Sequence, residues 1–190
     1  MLEEKNIVLF GFMGTGKTAI AHCLGDRLNY PVAEMDDLIE AREGMSISRI
    51  FAEKGERYFR RCERKLVIDL SREGGKIIAT GGGVILNPEN IEDFKKTGII
   101  FCLTARPEVI MSRVEKETHR PLLEVENRLE RIKELLCARQ QYYDRIDHQI
   151  DTSEFSIARA ADRILSAHAL SKHGEGEVIS PSDPTDPTDT

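Results

Sequence analysis

Apolar residues along the chain follow two recurring patterns. Short unbroken runs, such as Ile7-Val8-Leu9-Phe10, Ile77-Ile78-Ala79 and Ile99-Ile100-Phe101-Cys102-Leu103, are flanked by glycine, threonine or charged and polar residues. Between them lie longer stretches in which apolar residues recur every three or four positions. A run that is apolar at every position suits a strand buried on both faces, as at the centre of a parallel sheet. The three-to-four spacing suits helices laid over those faces.

In chain order, the pattern predicts a strand at 6–10 ended by Gly11 and a helix over 17–28. Pro31-Val32-Ala33 is the next apolar piece and leads into an acidic segment at 34–37. Residues 46–72 read as helical on Ile47, Ile50, Phe51, Phe59, Cys62, Leu66 and Leu70, with Gly74-Gly75 as the stop. A short strand at 76–80 ends in Gly81-Gly82-Gly83. A strand over 98–103 is followed by a helix from about Pro107, proline being favoured at a first helical position. Then come a polar loop at 114–121 and a long helix over 124–143 with Val125, Leu129, Ile132, Leu136 and Tyr143 on one stripe. A strand at 148–151 and a helix over 155–170 close the pattern. Strands alternating with helices mean an α/β fold, a parallel sheet covered on both faces in three layers.

Composition narrows this picture. A chain of 190 residues with 40% hydrophobic and 32% charged positions fits one soluble domain, read here as 1–170. Residues 171–190, rich in Pro, Thr and Asp, read as a disordered acidic tail that carries most of the net charge of -6. The balance argues against a general nucleic-acid binder. There is no membrane-length apolar run and no leader-like start, so the expected location is cytoplasmic. Cys23, Cys62, Cys102 and Cys137 are too far apart for a zinc motif and read as reduced core residues.

The chemistry is concentrated at the ends of the predicted strands. Gly11-Phe12-Met13-Gly14-Thr15-Gly16-Lys17-Thr18 matches the P-loop pattern, directly after a strand and opening a helix. In such a loop, backbone N–H groups cradle phosphates, the lysine adds a point charge, the threonine hydroxyl can ligate Mg²⁺, and the helix end favours an anion. No Asn-Lys-x-Asp guanine-reading motif occurs, which turns the reading toward a small-molecule kinase. Three further features stand out. They are Glu34-Met35-Asp36-Asp37 after the second strand, Phe59-Arg60-Arg61-Cys62-Glu63 with the later triglycine, and Arg120-Pro121-Leu122-Leu123 with Arg139 further on.

Together, over roughly residues 5–170, these motifs resemble the shikimate kinase family in order and spacing. The resemblance implies a P-loop kinase fold with a five-stranded parallel sheet and a mobile lid at about 112–124. It also implies phosphorylation of the 3-hydroxyl of shikimate by MgATP, a step in aromatic amino-acid synthesis, with ATP and shikimate as the partners of a monomer that binds neither nucleic acid nor membrane. By the same resemblance, Gly14, Thr15, Gly16, Lys17, Thr18 and Ala19 hold the phosphates of ATP, and Arg113 and Ser156 flank the adenine. Thr18 serves Mg²⁺, as does Glu34 through water. Asp36 binds the substrate hydroxyls and accepts the proton. Arg60, Gly82 and Arg139 bind the substrate, and Arg120 of the lid, with Lys17 and Asp36, is catalytic. One departure is that Glu34 stands where the family usually has Asp, which adds one methylene of reach.

Elementary chemistry supports these roles. A guanidinium fork recognises a carboxylate bidentately, and Arg60 and Arg139 supply two such forks. Glycines allow backbone to approach a ring closely. A transferring phosphoryl group needs positive charge and positioning, which Lys17, Mg²⁺ and Arg120 can supply. Glu63, three residues after Arg60, is expected to orient its guanidinium. Asp37, out of register, reads as solvated or helix-capping, and His22, His119, His148, His168 and His173 as structural or solvated. Arg60, Arg61 and Glu63 taken alone also fit a solvated helix face. Two other functions fit the same motifs: a P-loop kinase for another hydroxylated acid such as gluconate, and a nucleotide-binding regulator that keeps the fold.

Overall fold

The computed structural model describes residues 4–115 and 127–173. It holds a five-stranded sheet of β1 (Asn6–Gly11), β2 (Val32–Glu34), β3 (Ile77–Ala79), β4 (Gly98–Thr104) and β5 (His148–Asp151), in the order β2-β3-β1-β4-β5. Every pairing is parallel. The central strand β1 shows why its run is apolar throughout. Ile7 and Leu9 pack with α1 (Lys17–Leu28) and α8 (Ile157–His173) through Ile20, Leu24, Ala161 and Ile164. Val8 and Phe10 point the other way. They join Leu66 and Val67 of α4 (Glu56–Leu70), Ile91 and Phe94 of α5 (Pro88–Thr97), Ile110 of α6 (Pro107–Val114) and Ile132 of α7 (Arg128–Tyr143). Phe10 and Phe94 meet edge to face, centroids 6.1 Å apart. Both faces are thus closed, and the carboxyl ends of the strands are left as the rim where α/β sheets bind ligands. Among the described residues no helix is long and apolar enough to cross a membrane.

The predicted helix over 46–72 is two helices, α3 (Ile47–Lys54) and α4. Gly55 separates them at φ 79°, ψ 164°, a conformation essentially reserved for glycine, and the apolar spacing runs across the break without recording it. The acidic segment after β2 opens a helix, α2 (Met35–Glu43), with Asp36 and Asp37 in its first turn, where carboxylates favour the helix N-terminus. Residues 84–97, unassigned by the pattern, hold a 3-10 turn (Val84–Leu86) and α5. Asn87 caps α5 by accepting from the Glu89 N–H, with Pro88 at the first helical position. Helix α7 starts at Arg128 rather than 124, because the Asn127 side chain caps it by accepting from the Glu130 N–H. Leu129 and Leu136 on its stripe are half-buried, while Ile132 and Tyr143 are buried. Only Cys102 of the four cysteines is buried, and burial pushes its thiol up to about 12; Cys23 and Cys62 are half-buried and Cys137 is exposed, against the core reading. Val125, the greater part of the expected lid with His119 and Arg120, and the expected tail from 174 onward lie outside the described residues.

A Cβ on Gly55 would meet nothing within 4 Å, so substitution there tests backbone strain alone. Gly55→Ala is expected to cost about 1–3 kcal/mol, measured as a lowered melting temperature. An unchanged melting temperature would show that the helix break does not depend on glycine.

Candidate active site

The rim is built from loops that leave the ends of β1, β2 and β3. After β1 the chain must turn sharply into α1. At Gly11, φ 147°, a Cβ would run into the Leu103 carbonyl oxygen, so glycine ends the strand for steric reasons. Thr15, fully buried, donates its hydroxyl to the Phe12 carbonyl at 2.7 Å and tightens the loop. The Lys17 ammonium lies across it and donates to the carbonyls of Gly11 and Phe12, each at 2.9 Å. Gly16 caps α1 without a side-chain bond, so the first-turn N–H groups have no intrahelical acceptor and face the loop as an anion site. Thr18 and Ala19 on that first turn are exposed.

The outer side of this loop is tied to the β5–α8 connection. Thr152, buried, has its Oγ1 at 3.0 Å from the carbonyl oxygens of both Thr15 and Thr104. Arg113 of α6 donates to the Gly14 carbonyl at 3.1 Å, and to the Thr152 hydroxyl and carbonyl at 3.1 and 2.7 Å. Its guanidinium therefore spans the P-loop and the loop that holds Ser156. The exposed Ser156 side chain accepts from the Arg159 N–H. Beside it Phe155 lies under Arg159 and Arg163, at 4.7 and 4.4 Å from the ring centroid.

Across the rim, at the end of β2, Glu34 accepts from His22 of α1 at 2.7 Å. Sequence reasoning had set His22 aside; its place one turn beyond Thr18 was the available signal. Asp36 is half-buried on the first turn of α2, and Asp37 points to solvent.

The triglycine after β3 organises the charged groups. A Cβ on Gly81 would sit 2.7 Å from Asp36 Oδ1 and 3.0 Å from Glu63 Oε1, so both carboxylates fill the space a side chain would take. A Cβ on Gly83 would collide with the guanidinium of Arg60. At Gly82 a Cβ would come no closer than 3.8 Å, to the Met13 nitrogen, so this residue faces the P-loop with room to spare. Its carbonyl accepts from Arg139 of α7 at 3.1 Å, and the Arg139 guanidinium stands 5.4 Å from the Phe12 ring centroid. Arg60 and Arg139, from different helices, thus meet on neighbouring glycines, with Asp36 one residue further. Arg61, next in sequence, is exposed and lies against Tyr58 instead.

Arg60 donates through Nη1 to Glu63 at 2.7 Å and through Nε and Nη2 to Glu56 at 3.2 and 2.8 Å. Burial works against its charge, but the carboxylates of Glu63 and Glu56 outweigh it and raise its pKa. Glu63 is buried, and its Oε1 has no hydrogen-bond partner among the described residues. Its carboxyl is raised to about 7, chiefly by burial; Arg60 pulls against the shift, and nearby Asp36 and Glu56 add to it. The pairing of Glu63 with Arg60 follows from their spacing, whereas the burial of Glu63 does not. Glu56 was missed, although its four-residue offset from Arg60 is the usual helical pairing distance.

The shikimate kinase family model matches residues 13–169 of this chain. The chain is 46% identical over 164 residues to a shikimate kinase of Caldanaerobacter subterraneus subsp. tengcongensis, covering 86% of this chain and 96% of that protein. It is 42% identical over 170 residues to a shikimate kinase of Thermoanaerobacter pseudethanolicus, covering 90% and 99%. Its structure is similar to that of shikimate kinase from Acinetobacter baumannii in complex with shikimate. The TM-score is 0.83 at 33% identity, covering 89% of this chain and 94% of that one.

The raised pKa of Glu63 has a stability consequence with a definite sign. Below its ordinary value of 4.5 the carboxyl is protonated in both folded and unfolded chains. Between 4.5 and about 7 the folded chain holds a proton that the unfolded chain has lost, so stability falls as pH rises and levels off above 7. Glu63→Gln lacks this proton. The melting temperature of the wild type relative to Glu63→Gln is expected to decline across that window, by the equivalent of about 3 kcal/mol at most. A difference that stays constant or grows with pH would contradict the assignment.

Proposed function

The chain belongs to the shikimate kinase family, and from that membership we propose that it transfers the γ-phosphoryl group of ATP to the 3-hydroxyl of shikimate, giving shikimate 3-phosphate and ADP. The observation that carries this reading is the convergence of Arg60 and Arg139 on Gly83 and Gly82 beside Asp36, across from the P-loop. Two guanidinium groups next to a carboxylate suit a substrate that carries one carboxylate and several hydroxyls.

In this reading the substrate carboxylate lies on Arg60 and Arg139, with the ring over Gly82, where no side chain intrudes. Asp36 accepts hydrogen bonds from the hydroxyls and takes the proton as the substrate oxygen attacks phosphorus. The bond from phosphorus to the β,γ-bridging oxygen breaks, and ADP leaves. Lys17 exchanges its present acceptors, the carbonyls of Gly11 and Phe12, for β- and γ-phosphate oxygens and stabilises their developing charge. The N–H groups of Gly14, Thr15, Gly16, Lys17, Thr18 and Ala19 surround the phosphates. Arg113 and Ser156 border the adenine, and Arg120 reaches the phosphates from the lid. Arg113 is already committed to Gly14 and Thr152, so its part is to fix the rim against which the base rests.

The exposed Thr18 hydroxyl is a hard oxygen donor that fits Mg²⁺ directly, and the Glu34 carboxylate, held by His22, fits it through water. Bound there, Mg²⁺ would neutralise charge on the β- and γ-phosphates. As part of the same proposal, the protein acts as a monomer in the cytoplasm on ATP and shikimate, with neither nucleic acid nor membrane as partner.

A coupled ADP-release assay tests the reading. Shikimate is expected to support turnover and gluconate is not. Asp36→Asn is expected to lower kcat by at least ~10², the lower end for loss of a positioned general base, while the exposed Asp37→Asn stays close to wild type. Equal losses at both positions would refute the role of Asp36, and preference for gluconate would refute the substrate.

A further inference from the structure

Each of the three nitrogens of the Arg60 guanidinium donates to a carboxylate before substrate arrives, and its two acidic partners differ sharply. Glu63, 2% exposed, takes Nη1. Glu56, 61% exposed, takes Nε and Nη2 together through one oxygen, Oε1. The Nε/Nη2 pair is one of the edges a planar guanidinium offers a carboxylate bidentately. The remaining nitrogen, Nη1, gives one hydrogen to Glu63, and the guanidinium lies so close to Gly83 that a Cβ there would collide with it. A buried partner that leaves Arg60 would be stranded without water, whereas an exposed one is taken up by solvent.

We propose that Glu56 is a built-in competitor for the substrate carboxylate, occupying the Arg60 edge that shikimate needs and swinging into solvent when shikimate binds. The proposal rests on the reading of Arg60 given above. The exchange swaps one carboxylate for another, so Arg60 never loses its countercharge. It also discriminates among acids. A tethered carboxylate acts at a high effective concentration, which a small free carboxylate cannot match. Shikimate adds contacts to Asp36 and Arg139 and therefore wins. Glu56 thus sets specificity by raising the threshold for any anion that offers a carboxylate and nothing else.

Glu56 is also the first residue of α4, where its charge favours the helix, so a purely structural role must be told apart. Titration calorimetry of shikimate into wild type, Glu56→Gln, Glu56→Asp and Arg60→Ala does this. Loss of a structural contact lowers affinity or leaves it alone, whereas removal of a competitor raises it. Glu56→Gln is expected to bind shikimate about two- to fivefold more tightly, the range set by measured exposed ion pairs. Glu56→Asp, which keeps the charge and the helix position but is shorter, is expected to fall between. Acetate is expected to weaken shikimate binding to Glu56→Gln more than to wild type. ADP affinity is expected to be unchanged. Equal or weaker shikimate binding by Glu56→Gln, with Arg60→Ala impaired, would overturn the proposal alone. Wild-type affinity in Arg60→Ala would overturn the reading of Arg60 and the proposal with it.

Discussion

Three consecutive glycines after β3 make room for a half-buried cluster of charge, and the substrate side of the rim depends on that room. The space of two missing side chains is filled by the oxygens of Asp36 and Glu63 at Gly81 and by the guanidinium of Arg60 at Gly83. Burying a carboxylate next to a guanidinium is weak support for stability, since desolvation offsets most of the attraction. Such a cluster at the carboxyl edge of a parallel sheet is better explained by use. Strained and shifted groups collect where chemistry occurs. Here Glu63 is the group under strain, paired on one oxygen and, among the described residues, unpartnered on the other.

The nucleotide side is built on a different principle. Among the described residues it has no buried acid, and it relies on backbone. Gly11 closes against the Leu103 carbonyl, Thr15 tightens the loop, and the Arg113–Thr152 clasp locks its outer side to the β5–α8 connection. In the proposed reading, phosphates meet the N–H groups of this braced loop, and Lys17 gives up two carbonyl acceptors to reach them. The two sides share β1, whose end opens the P-loop, and β3, whose end opens the triglycine. These strands are neighbours in the sheet. The sheet order brings the P-loop and the triglycine together although the two motifs lie far apart along the chain.

The strands buried on both faces were legible because burial leaves an unbroken apolar signature, as at Ile7–Phe10 and Ile99–Leu103. The P-loop was legible because its geometry demands glycine and lysine at fixed spacing. The break at Gly55 was not, since α3 and α4 pack on the same core and keep the three-to-four rhythm across it. Helix α2 was hidden because its first turn is acidic, which reads as loop until the favourable N-terminal position is recognised. Helix α5 was signalled by Asn87-Pro88 and passed over. At the site, the motifs drew attention to Arg60 and Asp36, and the structure places both beside the triglycine. What depends on tertiary neighbours was not legible, as with the burial of Glu63 and the His22–Glu34 contact, whereas the pairing of Arg60 with Glu56 is local to α4 and was signalled by its four-residue offset.

The dependence of substrate recognition on the glycine clasp can be measured with one methyl group. Gly83 sits at φ -104°, ψ -7°, an ordinary backbone conformation, so Gly83→Ala adds only a steric clash with the Arg60 guanidinium. Shikimate affinity of Gly83→Ala, measured by calorimetry alongside ADP affinity, is expected to fall by at least ~10-fold, the loss of about one charge-assisted hydrogen bond, with ADP affinity unchanged. Shikimate affinity equal to wild type would show that Arg60 does not need the place the glycine leaves for it, and would contradict the account.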